Sequence, residues 1–142
     1  MRCDQCVANV KDRRCKLTTC KWAPYCWLHT PVEVGLSNIP GAGRGLFAKR
    51  DIPMNTKFGD YKKGKVLDKP TKGTHIALIG GVYYDASDVR RTIAGIANRA
   101  PKGKKNNCKL TKTGFTVTIR KIKAGEELYL GYGPAYRIVV PH

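Results

Sequence analysis

Ile39-Pro40-Gly41-Ala42-Gly43-Arg44-Gly45-Leu46-Phe47-Ala48 is the stretch on which the fold turns. Glycines at the alternate positions 41, 43 and 45 allow a close backbone approach to a ligand, or φ values that other residues resist. Two readings fit this local pattern equally: a backbone cradle for a ligand, and a glycine turn between two strands. A phosphate-binding loop is excluded, because no Gly-Lys-Ser/Thr ending follows. A dinucleotide-binding fold is disfavoured, since the glycine spacing is wrong and no long amphipathic helix follows.

On either side the pattern is one of short strands. Residues 32–37 alternate as a strand before the glycines, and residues 49–56 read as an exposed turn after them. Residues 58–61 read as another short strand. Lys62, Lys63, Lys65, Lys69 and Lys72, beside Pro70 and Gly73, mark a basic loop. Residues 75–79 and 82–84 flank Gly80-Gly81 and predict a hairpin, with His75 an ordinary strand histidine. Ser87-Asp88 caps a short predicted helix with Val89, Ile93 and Ile96 at helical spacing. A basic loop covers residues 98–108. Phe115, Val117 and Ile119 then alternate with Thr116, Thr118 and Arg120, giving one buried and one wet face. Ala124-Gly125 turns the chain into a last strand over 128–132, which Gly133-Pro134 ends. Many short strands, one or two short helices and no βαβ rhythm predict a mainly β domain.

The chain has 142 residues, enough for one domain with a small appendage. Its 42% apolar and 26% charged residues are ordinary for a globular protein. No apolar stretch approaches the ~20 residues of a membrane span, and Met1-Arg2-Cys3-Asp4 opens no apolar signal-peptide core. An intracellular chain with no membrane contact is expected. The charge is abnormal: 27 Lys plus Arg against 10 acids give a net +17. Between Asp88 and Glu126 lie eleven Lys or Arg and no acid. Clustering of this kind favours a polyanionic partner over a merely solvated basic surface.

Five of the six cysteines, Cys3, Cys6, Cys15, Cys20 and Cys26, lie in the first 26 residues, and His29 follows Cys26 by three positions. A thiolate and an imidazole so spaced can face one metal from a single turn. Zinc takes that mixture tetrahedrally. The sequence leaves the four ligands open: one set is Cys6, Cys15, Cys26 and His29, and Cys20 or Cys3 could replace one member. Six ligands cannot fill two separate four-ligand sites without sharing, so one principal structural zinc is expected. Its affinity would supply most of the folding free energy of so short a segment. Disulfides or free thiols are the alternative.

Three separated motifs together resemble the SET domain of protein lysine methyltransferases. The first is the stretch from Ile39 to Ala48. The second runs from Tyr84-Asp85-Ala86 through Ile96-Ala97-Asn98-Arg99 to Asn106-Asn107-Cys108. The third is Gly125-Glu126-Glu127-Leu128 with Tyr132-Gly133. The cysteine prefix is similar to a zinc module ahead of small SET domains in giant viruses. The resemblance implies a fold of small β-sheets with a knot-like crossing beside the active site. It divides the chain into a Cys/His zinc-binding module over 1–30 and a SET domain over 31–142 with a short closing tail.

It implies an S-adenosylmethionine-dependent protein lysine N-methyltransferase. Tyr132 would be the catalytic tyrosine. Gly43, Arg44 and Gly45 would meet the methionyl end of the cofactor, and Asn98 with the Arg99 backbone its amino and adenine parts. Tyr61 and Tyr136 would wall the lysine channel or cofactor pocket, while Tyr84 and Tyr129 are core candidates. Glu126 and Glu127 read as turn and surface residues. Arg99 and Ala100 stand where the family has histidine and serine, and Pro101 where many relatives have a zinc-binding cysteine. With no C-terminal zinc module, the tail from Gly133 or a second subunit must close the pocket, so a homodimer is one expectation. The expected acceptor is a histone or nucleosome, reached through basic loops on DNA. The nucleus, or a virion or virus factory for a viral chain, is the matching location. The rival is a nucleic-acid-binding zinc protein with a degenerate SET fold.

Overall fold

The computed structural model describes residues 3–69 and 75–131. It is built from short strands in small sheets. Arg44–Ala48, the second half of the glycine stretch, runs between Val32–Leu36 and Glu127–Leu128, antiparallel to both. A second sheet has the order Leu130–Gly131, Cys108–Leu110, Phe115–Thr118, Lys57–Asp60. A third has the order Lys65–Leu67, Val82–Asp85, Ile76–Ile79. Leu46, Ile52, Phe58, Ile93, Ile122 and Leu128 meet between them and are completely buried. The alternation of apolar and polar residues along these strands sets which side chains enter this core.

The hairpin forms as predicted. Gly80 and Gly81 both take positive φ, +58° and +82°, as a two-residue turn between twisted strands requires. The strand expected over 58–61 is Lys57–Asp60, and Tyr61–Lys63 becomes a 3-10 turn instead. The Asp60 carboxylate accepts the Lys62 N–H at 2.9 Å and draws the chain out of the sheet. The stretch 49–56 is largely exposed, as expected, but Ile52 within it is buried and exchanges backbone hydrogen bonds with Ile122 at 2.7 and 2.9 Å.

No helix forms after Asp88, although Val89, Ile93 and Ile96 have helical spacing. The segment is a series of turns. Its backbone donors are spent elsewhere: Ile93 N–H goes to the Lys21 carbonyl at 2.9 Å, and Ala94 N–H to the Thr92 hydroxyl at 3.1 Å. The Thr92 hydroxyl in turn donates to the Asp60 carbonyl at 3.0 Å. Tertiary partners outbid local propensity here.

The late segment threads between two others. Leu130 N–H donates to the Asn98 carbonyl at 2.8 Å, and the Asn107 and Cys108 N–H groups reach the Tyr129 carbonyl at 3.0 and 3.1 Å. The Asn98–Tyr129 and Cys108–Leu130 pairings are both parallel. Such a crossing brings residues far apart in sequence side by side.

The cysteine-rich start folds as two tiny ladders, Asp4–Gln5 with Thr18–Thr19 and Asn9–Val10 with Arg13–Arg14. Trp22 packs against the main core. Lys63 Nζ binds the Asp4 carboxylate at 2.7 Å, and the Arg50 guanidinium reaches the His29 carbonyl at 2.8 Å.

Candidate functional site

A cleft of about 200 Å³ opens where the glycine stretch meets the segment before Asn98. Ala42 and Arg44 form one wall, Gly95, Ile96 and Asn98 the other, and His75 and Val89 lie at its margin. Gly41 and Gly43 take φ of +78° and +74°, a conformation that disfavours a side chain, and each faces open space where a Cβ would stand. The glycine stretch is thus both a turn, at 41–43, and a strand, from Arg44 onward.

Asn98 joins the two walls. Its side-chain amide donates to the Arg44 carbonyl at 3.0 Å and leans toward Glu127 Oε2 at 3.4 Å. Fixing the nitrogen fixes the amide, so Asn98 Oδ1 is left as an acceptor with no partner among the described residues. His75 lies at the margin rather than in an ordinary strand pair. Burial holds its pKa below the usual histidine value, opposed by the nearby Asp85 charge.

Glu127 corrects the sequence reading. Expected at the surface, it is 4% exposed. Its carboxylate accepts the Ser37 hydroxyl at 2.7 Å and the Asn38 N–H at 2.8 Å. The Tyr129 hydroxyl lies 3.5 Å away, and burial followed by the Glu127 charge pushes its pKa up. Gly45 is glycine for this reason: a Cβ there would stand 2.5 Å from Glu127 Oε2. The repeated small residue at 45 and the acid at 127 were the available signal, but nothing local links positions so far apart. Glu126 does sit at the turn, where the Lys123 N–H and then Arg120 hold its carboxyl below the usual range.

The remaining expected site residues are dispersed. The Arg99 side chain is exposed, and the Ala100 N–H is taken by Asn106 Oδ1 at 2.8 Å. Tyr61, expected on a channel wall, is 2% exposed in the core, because the 3-10 turn and the Tyr61 N–H bond to Gly114 at 2.8 Å swing it inward. Tyr132 and Tyr136 lie outside the described residues.

Cys6, Cys15, Cys26 and His29 bring four donor atoms within 4.8 Å of one another. Cys26 Sγ lies 3.3 Å from His29 Nδ1 and 3.9 Å from Cys15 Sγ, and Cys6 Sγ is 3.7 Å from His29 Nδ1. A zinc tetrahedron with Zn–S of ~2.3 Å and Zn–N of ~2.0 Å has edges of about 3.5–3.8 Å. The donor set therefore fits zinc in type and spacing. The His29 and Thr30 N–H groups both donate to the Cys26 carbonyl, closing the turn that puts both ligands on one side. The expectation that Cys3 or Cys20 could replace a member is corrected: these two are joined by a disulfide, with Cα atoms 4.7 Å apart. Cys108 is distant and buried, and burial pushes its thiol pKa up, so it packs as a neutral group.

Cobalt(II) added to metal-free protein should give the intense charge-transfer and d–d bands of tetrahedral thiolate ligation, displaced by zinc. Cys15→Ser should weaken them, whereas bands unaffected by Cys15→Ser and His29→Ala would assign the metal elsewhere. Glu127→Ala should lower the unfolding free energy by about 3 kcal/mol, because it strands the Asn38 and Ser37 donors. Gly45→Ala should be costly in the native background and cheaper beside Glu127→Ala, a coupling of about 1 kcal/mol or more in denaturant titrations. Additive effects would refute the contact.

The SET domain family profile matches residues 43–133. The fold is similar to that of the methyltransferase domain of human PR domain-containing protein 2, with a TM-score of 0.59 and 21% identity over 72% of this chain and 77% of that one. The SET domain of the RIZ1 tumor suppressor (PRDM2) gives a TM-score of 0.55 and 20% identity over 70% of this chain and 68% of that one. The ctPRC2 complex in an autoinhibited conformation bound to S-adenosylmethionine gives 0.51 and 22% identity, over 75% of this chain but 16% of that one. No curated protein sequence matches the chain. The profile covers well over half of the sequence, and its limits enclose the glycine wall, the Asn98 segment and the threaded Glu127 strand: the chain belongs to the SET domain family.

Proposed function

We propose that the chain is an S-adenosylmethionine-dependent protein lysine N-methyltransferase, acting on a histone or another chromatin-associated protein, with a structural zinc held by Cys6, Cys15, Cys26 and His29. The observation that carries the cofactor assignment is the Asn98 junction. It leaves an amide oxygen without a partner among the described residues, on a residue that lines a cleft with Ala42 and Arg44, between which Gly43 has open space where a Cβ would stand. An ammonium-bearing amino-acid end suits that oxygen, and bare backbone suits close packing against a thioether chain. Gly43, Arg44 and Asn98 would hold the cofactor, with the Arg99 backbone beside them. Gly45 contributes indirectly, by admitting Glu127.

When bound, S-adenosylmethionine supplies an electrophilic methyl on a cationic sulfonium. The residues of the chain have to align the acceptor amine with it, and much of the rate enhancement of such a displacement is alignment. A lysine attacks only when neutral, although its ordinary pKa is ~10.4. Desolvation and a nearby positive charge both lower that value. Tyr132 follows directly on the strand Leu130–Gly131, whose Leu130 N–H is bonded to the Asn98 carbonyl. In this reading its hydroxyl orients the amine.

A second reading keeps the fold and drops the chemistry. Arg99 and Ala100 replace the histidine and serine of the resemblance, and the Arg99 side chain is exposed. With the +17 charge this favours a nucleic-acid-binding protein that no longer transfers methyl groups. Radiolabelled methyl transfer to nucleosomes, free histones and a cell lysate separates the two. The expected result is label on lysine in a histone-containing acceptor, reduced about 100-fold or more by Tyr132→Phe. No label on any acceptor, under conditions where the cofactor binds, would overturn the enzymatic reading.

A further inference from the structure

A further hollow, of about 460 Å³, is walled by Lys62, Lys63, Lys65 and Arg91, with Val66 and Tyr84 as an apolar floor. Among the described residues no acidic side chain lines it. A second basic hollow, at Lys104, Lys105 and Arg120, is different: Glu126 and Glu127 stand in its wall, and Arg120 is paired with Glu126 at 3.0 Å.

In the first hollow Lys63 is held by Asp4, but among the described residues Lys62, Lys65 and Arg91 make no ion pair. Residues outside the description carry no Asp or Glu that could supply one. The nearby acids are committed. Asp60 accepts the Lys62 N–H at 2.9 Å. Asp85, opposite Lys65 across the sheet, accepts the Ser87 N–H at 2.9 Å. Asp88 is clamped by the Arg90 guanidinium at 3.1 Å on each oxygen. Val66, 60% exposed, and the half-buried Tyr84 are cross-strand partners, so the floor is rigid and sheet-borne.

We propose that this hollow docks the sugar-phosphate backbone of duplex DNA. Three uncommitted cations around one concavity match successive phosphates. Lysine serves as a point charge and arginine as a two-pronged donor. The apolar floor suits deoxyribose edges. Duplex DNA carries about one charge per ~1.7 Å of axis, so a chain of net +17 is drawn to it ahead of an acidic peptide of sparse charge. Nothing in the wall reads base edges, so binding is independent of sequence. The inference rests on the chromatin part of the proposed function and does not require methyl transfer.

The test is fluorescence anisotropy with a labelled mixed-sequence duplex, titrated with the whole chain between ~50 and ~200 mM salt. Substituting Lys62→Ala, Lys65→Ala and Arg91→Ala together should weaken binding about tenfold or more and flatten the log–log salt slope by about 2–3. An equal loss of charge, Lys102→Ala with Lys104→Ala and Lys105→Ala, should cost no more than about twofold. Circular dichroism confirms that both triple variants fold. Equal losses from the two triples, no salt-sensitive binding by the native chain, or equal affinity for polyglutamate would overturn the proposal. A failure here leaves methyl transfer to free histone untouched.

Discussion

A buried carboxylate, Glu127, holds the two halves of this fold together. Taking such a charge out of water is expensive unless hydrogen bonds replace its hydration. Here the replacement comes from a hydroxyl at Ser37, a backbone N–H at Asn38 and the amide of Asn98, which lie 90, 89 and 29 residues from Glu127 in sequence. One anion thus fixes the exit of the strand Val32–Leu36, the glycine strand at Gly45 and the cleft wall at Asn98. The cleft is a by-product of satisfying that charge. Its geometry is rigid because the anion has few alternative donors.

The sheet content was legible because it is local. Alternation in Phe115–Thr118 and the paired glycines of the hairpin each decide their own structure. The false helix after Asp88 and the surface assignment of Glu127 failed for a common reason. Each depends on partners distant in sequence, the Lys21 carbonyl in one case and Ser37 in the other. No window of sequence contains them. The metal cluster falls between these cases. Spacing gave Cys26 and His29 as a pair, whereas the choice of Cys6 and Cys15 over Cys3 and Cys20 depends on the two short ladders of the N-terminal segment. Of the expected site residues, the glycine stretch and Asn98 are joined through the Arg44 carbonyl, and Tyr61 is buried beside a capping interaction at the end of its strand.

A backbone hydrogen bond joins the cysteine-rich segment to the segment before Asn98. Lys21, one residue beyond the Cys3–Cys20 disulfide, accepts the Ile93 N–H at the start of the segment that ends in Asn98. The +17 charge meets a difficulty on any lysine-rich acceptor, since like charges repel over the Debye length of ~8–10 Å. In the proposed function DNA docking meets this difficulty, because its phosphates would neutralise the protein and bring the acceptor tail close.

The central claim is that the glycine wall and Asn98 form one cofactor cleft. Isothermal titration of the zinc-loaded chain with S-adenosylmethionine tests it without requiring turnover. The account predicts saturable one-to-one binding that Asn98→Ala abolishes while the thermal unfolding transition stays cooperative. Binding unchanged in a folded Asn98→Ala variant, or no binding by the native chain, would contradict it.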